Sequence, residues 1–162
     1  MNVRPVSPDD AAILAAIYNY YVCETVISFE TEPLSEGEMR ERIVQTSAGF
    51  PYLVCEVDGQ VVGYAYAHRW KERAAYYLTW ESTIYLHREH CGQGLGCLLM
   101  EALLPQCRER GCRALIACIT GENTASVAFH ESLGFRPVSH FPAVGCKFGR
   151  LLDVVDLYLP LQ

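Results

Sequence analysis

The sequence predicts one α/β (α+β) domain on a mixed, mostly antiparallel twisted sheet with a central βαβ unit. Three observations carry this. Tyr52 to Val57 and Gln60 to Ala67 read as strands on either side of an Asp58-Gly59 hairpin turn. A long strand from Tyr76 to Leu86 is followed by a short polar turn and a glycine loop, Gly92-Gln93-Gly94-Leu95-Gly96, that opens directly into an apolar-faced helix. Arg113 to Thr120 is a near-continuous apolar run, which suits a strand buried on both faces and parallel to the Tyr76 strand through a right-handed crossover.

The 162 residues are about one domain long, so residues 1–162 are expected to share one core. Charged residues make up 20% and hydrophobic ones 51%, the balance of a globular chain. A formal net charge of −6 with scattered basic residues disfavours nucleic acid as a partner and favours small-molecule chemistry. No segment stays apolar for the ~20 residues of a membrane helix, so no membrane partner and a cytoplasmic location are expected. Eight cysteines form no C-x-x-C pair and match no zinc spacing, so they read as reduced residues and no metal is expected.

In chain order, Asn2 to Val6 is a short strand, and Ser7-Pro8-Asp9-Asp10 is a helix start with a capping serine, proline and acids in the first turn. Leu14, Ile17, Tyr18 and Tyr21 give that helix one apolar stripe. Thr25 to Pro33 has no helical period and presents Phe29 between polar residues, either as a loop over a pocket or as a loop whose phenylalanine plugs the core. Ser35 and Glu38 form a capping box for a second helix that ends near Gly49.

His68 to Arg73 is a basic and aromatic link after the second hairpin strand. Its arginines either grip a substrate carboxylate or are simply solvated. After the glycine loop, Leu95, Leu98, Leu99, Ala102 and Leu103 form the helix face, Pro105 is expected to kink or loosen it, and Gly111 stops it. Gly121-Glu122-Asn123 is a turn, Thr124 to Leu133 a short helix, and strands near Phe135 to His140 and Asp153 to Leu159 flank a loop from Val144 to Arg150.

Glycines permit backbone geometry that other residues resist, and free N–H groups at a helix start hold phosphate without a basic side chain. The loop is not a P-loop, because Gly96 is followed by Cys97-Leu98 and not by lysine with serine or threonine. It fits a dinucleotide fingerprint poorly, because Cys97 stands where the third glycine belongs.

Cys91-Gly92-Gln93-Gly94-Leu95-Gly96 does resemble the acetyl-CoA loop of the GCN5-related N-acetyltransferase (GNAT) superfamily, with Cys91 in place of the usual Gln or Arg. Four stretches narrow the resemblance to the phosphinothricin and methionine sulfoximine acetyltransferase family. They are Ile17-Tyr18-Asn19 with Thr25 to Pro33, Trp80 to Leu86, Asn123 through His130 to Phe135, and Val144 to Asp153.

The resemblance implies a GNAT fold, with the parallel strands splayed and helices on both sheet faces, and acetyl transfer from acetyl-CoA to the α-amine of a small amino-acid-like acceptor. It implies Glu81 as general base and His130 as an acid or a substrate-positioning group. Main-chain groups of the Ile84-Tyr85-Leu86 strand would meet the pantetheine arm, with Ile84 and Leu86 pairing to it. Cys91, Gly92, Gln93, Gly94, Leu95 and Gly96 would hold the pyrophosphate, and Asn123 would bond to the CoA arm. Phe29, Arg73, Tyr76 and Thr79 would surround the acceptor, with the Lys147 to Arg150 loop closing over it. Tyr77 stands where several family members carry a substrate arginine. A homodimer is also implied. The alternatives are an acetyltransferase for a polyamine or a protein N-terminus, and a non-catalytic acyl-CoA-binding module.

Overall fold

The computed structural model describes all of residues 1–162. In chain order it contains β1 (Asn2–Pro5), α1 (Ala11–Glu24), α2 (Glu36–Ser47), β2 (Tyr52–Val57), β3 (Gln60–Arg69), β4 (Thr79–Leu86), α3 (Leu95–Glu109), β5 (Ala114–Thr120), α4 (Thr124–Ser132), β6 (Arg136–Lys147) and β7 (Arg150–Pro160). The strands make a 7-stranded sheet in the order β1-β2-β3-β4-β5-β7-β6. Every neighbouring pair is antiparallel except β4 with β5, which α3 joins as the crossover helix.

Strand alternation builds two cores, one on each side of the sheet. Leu53, Cys55, Ala65 and Ala67 face α3, where Leu95, Leu99, Met100 and Leu103 are fully buried. Tyr52, Val54 and Tyr64 face the other way, against Leu14, Ile17 and Ile43 of α1 and α2. Each fully buried leucine or isoleucine contributes roughly 1.5–3 kcal/mol. No helix is long and apolar enough to cross a membrane.

Three local features differ from the sequence expectation. The central strand starts at Thr79 and not at Tyr76, because Ala74–Tyr76 forms a 3-10 turn. The buried Trp80 indole donates to the Tyr77 carbonyl at 2.9 Å, and this folds the chain back before the strand begins. The expected loop from Val144 to Arg150 shrinks to Phe148-Gly149, both at positive φ, 52° and 70°, as a two-residue hairpin turn requires. The ladder passes Pro142 and Gly145 through an irregularity between Phe141 and Gly145. Finally, α3 continues through Pro105, which lies on its exposed side where water can serve the carbonyl that proline leaves unpaired.

Candidate active site

The site begins where the sheet opens. The parallel β4-β5 ladder has the rungs Thr79 with Ala114, Trp80 with Leu115 and Glu81 with Ile116, and then stops while β4 continues to Leu86. His87 N–H donates to the Val62 carbonyl at 2.7 Å. By antiparallel alternation, Thr83 and Tyr85 therefore turn their main-chain groups toward β3, and Ser82, Ile84 and Leu86 turn theirs toward the edge that β5 has left. The Tyr21 hydroxyl donates to the Leu86 carbonyl, which leaves the Ile84 groups and the Leu86 N–H on that edge.

The glycine loop stands at the far end of this edge. Gly92 and Gly94 take φ of 75° and 80°, a region that glycine enters at little cost. The N–H groups from Gly92 to Cys97 donate to no acceptor within the chain, so they stand free at the start of a 15-residue helix, the arrangement that suits an anion. The Leu95 side chain is fully buried, so only its main chain belongs to the site. The Gln93 side chain donates to the Glu89 carbonyl at 3.1 Å and braces the turn. Cys91 Sγ lies 3.9 Å from the Tyr21 hydroxyl.

A cavity of about 530 Å³ runs along the loop and the free edge, bordered by Ile84, Tyr85, Leu86, Cys91, Gly92, Gly96 and Asn123. Arg88, which the sequence reading did not single out, adds a cation at this cavity with its guanidinium 5.1 Å over the Tyr20 ring. Asn123 caps α4, its Oδ1 accepting from Ser126 N–H at 3.2 Å, so Nδ2 is its remaining donor group.

Between β4 and β5 lies a slot of about 130 Å³ bordered by Glu81, Ser82, Asn123 and His130. Ser82 Oγ and His130 Nε2 are buried there without a hydrogen-bond partner. Buried polar atoms left unpaired are costly, and two on one slot fit a polar ligand chain entering it. His130 is only 3% exposed, and its Nδ1 donates to the Ser126 carbonyl at 2.8 Å. Nε2 of the neutral ring is therefore an acceptor, and burial lowers the imidazole pKa despite that bond. No group of three or more His, Cys, Asp or Glu side chains is arranged to hold a metal ion.

Glu81 borders both this slot and a second cavity of about 440 Å³ on the α1-α2 side of the sheet. Burial pushes its carboxyl up to about 7, and the Asp156 charge adds to the shift. The second cavity is walled by Phe29 and Glu30 from the Thr25 to Pro33 loop, by Tyr66 and Thr83, and by Arg42 of α2. Arg42 is paired with Glu30 at 2.6 Å. The loop has no regular structure but is pinned from four directions. Asn19 bonds to both main-chain groups of Leu34 at 2.8 Å, Tyr18 hydroxyl meets Ser28 Oγ at 2.8 Å, Thr120 Oγ1 donates to Val26 O at 2.8 Å, and Lys147 Nζ donates to Ser28 O at 2.7 Å.

The sequence-predicted acceptor residues divide. Phe29, 41% exposed, lies on the cavity wall with its ring against the Gly145 backbone. Thr79 shares the Glu81 face of β4, one step nearer the strand start. Arg73 and Tyr76 belong to the turn before β4, where Tyr76 packs on Trp70 with ring centroids 5.3 Å apart, and neither borders the cavity. Lys147 is 3% exposed and bonded to the Ser28 carbonyl, so it locks the β6-β7 hairpin to the loop from inside and does not close over the cavity from a loop of its own. His68, Arg42 and Asp156 come to the site from three other elements through the sheet register and α2 packing, which no short motif encodes.

The family model described as the Acetyltransferase (GNAT) family matches residues 14–135. A phosphinothricin N-acetyltransferase of Alcaligenes faecalis is 40% identical over 162 residues, covering 99% of this chain and 82% of its own length. An L-methionine sulfoximine/L-methionine sulfone acetyltransferase of Salmonella typhimurium is 33% identical over 163 residues, covering 100% and 95%. The solved structure of yncA from Salmonella typhimurium, with its cofactor acetyl-CoA, superposes at a TM-score of 0.97 with 33% identity, covering 100% of this chain and 94% of the other. With the splayed strands, the open edge and the free N–H cluster already in place, these likenesses make the chain an acetyl-CoA-dependent N-acetyltransferase that belongs to the GNAT superfamily, in its phosphinothricin and methionine sulfoximine acetyltransferase family.

Proposed function

We propose that residues 1–162 act as one catalytic domain that acetylates the α-amine of a small amino-acid-like acceptor of the phosphinothricin, methionine sulfoximine or methionine sulfone type, with Glu81 as general base. The observation that carries this is the position of Glu81 on both the slot and the second cavity, with a pKa of about 7. An α-ammonium must lose a proton before it can attack, and a base poised near the working pH takes it most effectively. Bound acetyl-CoA supplies the acetyl thioester. The free N–H groups from Gly92 to Cys97 hold its pyrophosphate, the open β4 edge at Ile84 and Leu86 orients the arm, and Asn123 Nδ2 bonds to it.

His130 acts as a positioning acceptor through Nε2, because a neutral ring with a lowered pKa holds no proton there to give. Phe29 shapes the acceptor end, and Arg42 is the cation on that cavity wall. A polyamine is a second acceptor class, supported by the acids Glu30 and Glu81 on the same wall and by Asp156 close behind Glu81.

Val144, Phe148 and Leu151 are 60%, 60% and 69% exposed on the β6-β7 hairpin, which supports a homodimer through that face. Eight cysteines standing as free thiols support a cytoplasmic location.

Thiol release from acetyl-CoA against phosphinothricin, methionine sulfoximine, methionine sulfone, other amino acids and spermidine tests the reading. Release with an amino-acid analogue is expected. Release with spermidine alone supports the second class, and release with none of them contradicts both.

A further inference from the structure

The proposed transfer leaves a proton to be disposed of. An ammonium acceptor has three N–H bonds and the amide product one. As the N–C bond forms and the C–S bond breaks, the electron pair goes to sulfur, one proton accompanies the thiol, and one must reach solvent in every turnover. If Glu81 collects that second proton, it must be emptied before the next cycle, while acceptor or product fills the cavity on which it borders.

His68 stands directly across β3 from Glu81 in the antiparallel register. Its Nε2 is 3.7 Å from Glu81 Oε1, too far for a direct hydrogen bond and close enough for a small rotation or one bridging water. Its Nδ1 lies 2.9 Å from the Arg69 carbonyl. A carbonyl only accepts, so Nδ1 carries the ring proton and Nε2 turns its lone pair toward the carboxyl. The same ring borders a separate cleft of about 220 Å³ with Arg42, Tyr52, Tyr64 and Tyr66. Tyr18, Tyr66 and Arg42 form the partition, since all three also border the acceptor cavity. The imidazole thus lies beside the base at Nε2 and also borders an opening separate from the acceptor cavity.

We propose that His68 is a positioning and relay residue: Nε2 takes the proton from Glu81 through a small rotation or one bridging water while Nδ1–H stays bonded to the Arg69 carbonyl, and the same Nε2–H is then released to water in the tyrosine-lined cleft, resetting both groups on each turnover. This rests on the acetyl-transfer reading with Glu81 as base. Glu81 is faced by His68 and Tyr66 on β3, by Cys118 on β5, by Asp156 on β7 and, across the cavity, by Arg42 of α2. Burial raises Tyr66 to about 12, and desolvation together with the Glu81 and Asp156 charges raises the Cys118 thiol, so neither exchanges protons readily with a carboxylate near neutral pH. Arg42 never releases one, and Asp156 adds a negative charge that keeps the proton on Glu81. Burial lowers the His68 pKa, which makes the imidazolium short-lived and quick to discharge.

The test compares wild type with His68→Asn and His68→Gly. With the accepted acceptor from the panel, kcat is expected to fall roughly tenfold or more in both variants, with KM for acetyl-CoA unchanged. Added imidazole should restore kcat in His68→Gly in proportion to its concentration, an effect that a merely structural role would not produce. A His68→Asn enzyme with wild-type kcat across the pH range overturns the relay, and so does a folded His68→Gly enzyme whose loss imidazole does not repair.

The second measurement needs no acceptor. In the ¹⁵N resonances of His68, the wild type should show an inflection where Glu81 titrates, and Glu81→Gln should abolish it and lower the His68 pKa by about one pH unit. A His68 titration identical in both proteins overturns the contact. If no acceptor in the panel is acetylated, the acetyl-transfer reading fails while this titration still decides whether His68 and Glu81 exchange charge.

Discussion

Glu81 pairs with Ile116 in the last rung of the parallel β4-β5 ladder, so the carboxylate stands at the residue where the sheet divides. One residue earlier it would sit within the paired ladder. Beyond Glu81, alternate main-chain groups of β4 face open space. The position of Glu81, the slot and the open β4 edge thus follow from one event, the end of a ladder.

The free N–H cluster depends on the left-handed turn at Gly94, φ 80°. Gly94→Ala should cost about 1–2 kcal/mol of backbone strain and weaken acetyl-CoA binding about tenfold. Gly59→Ala, at φ 79° in the β2-β3 turn, imposes the same strain far from the site and should lower stability without changing affinity. Calorimetric titration beside urea unfolding separates the two, and equal affinities in both variants would place the pyrophosphate elsewhere.

Lys147 spends its ammonium on the Ser28 carbonyl at 2.7 Å, and burial lowers its pKa. Lys147→Met keeps the stem and removes the charge-assisted bond, so it should destabilise the protein by about 2 kcal/mol. Amide exchange should quicken from Val26 to Glu30 and not at the glycine loop. Unchanged exchange across that loop would show that its other anchors suffice.

The raised pKa of Glu81 also predicts how stability varies with pH. The folded state holds this proton up to about 7, whereas the unfolded chain releases it near the ordinary 4.5. Between those values the folded state binds more protons, so its stability falls as pH rises. Glu81→Gln removes that penalty and should be more stable than wild type by roughly 3 kcal/mol at pH 8, with no difference below pH 4.5. Urea unfolding at several pH values measures this. A constant difference would mean that the carboxyl is not desolvated.

Much of the architecture was legible because local chemistry states it. The Asp58-Gly59 turn, the Ser35 and Glu38 capping box and the apolar run before Thr120 each specify their own element. The order of strand, glycine loop and helix start was legible too, since the three are contiguous in the chain. The acceptor end was not, because its walls meet through register and packing. His68 reaches Glu81 only because β3 and β4 pair as they do, and Arg42 arrives from a helix packed over both. Lys147 was expected in a loop from Val144 to Arg150, whereas β6 continues through a bulge to Lys147 itself.

The most direct test of Glu81 as the base is the pH dependence of kcat in wild type and Glu81→Gln, with the accepted acceptor and saturating acetyl-CoA. Only the ionised carboxylate removes the ammonium proton, so wild-type kcat should rise with pH and level off above about 7, where Glu81 titrates. Glu81→Gln should be slower by roughly 10²-fold or more and lack that inflection, while binding acetyl-CoA as tightly as wild type. A Glu81→Gln enzyme with the wild-type rate and the same inflection would contradict the account.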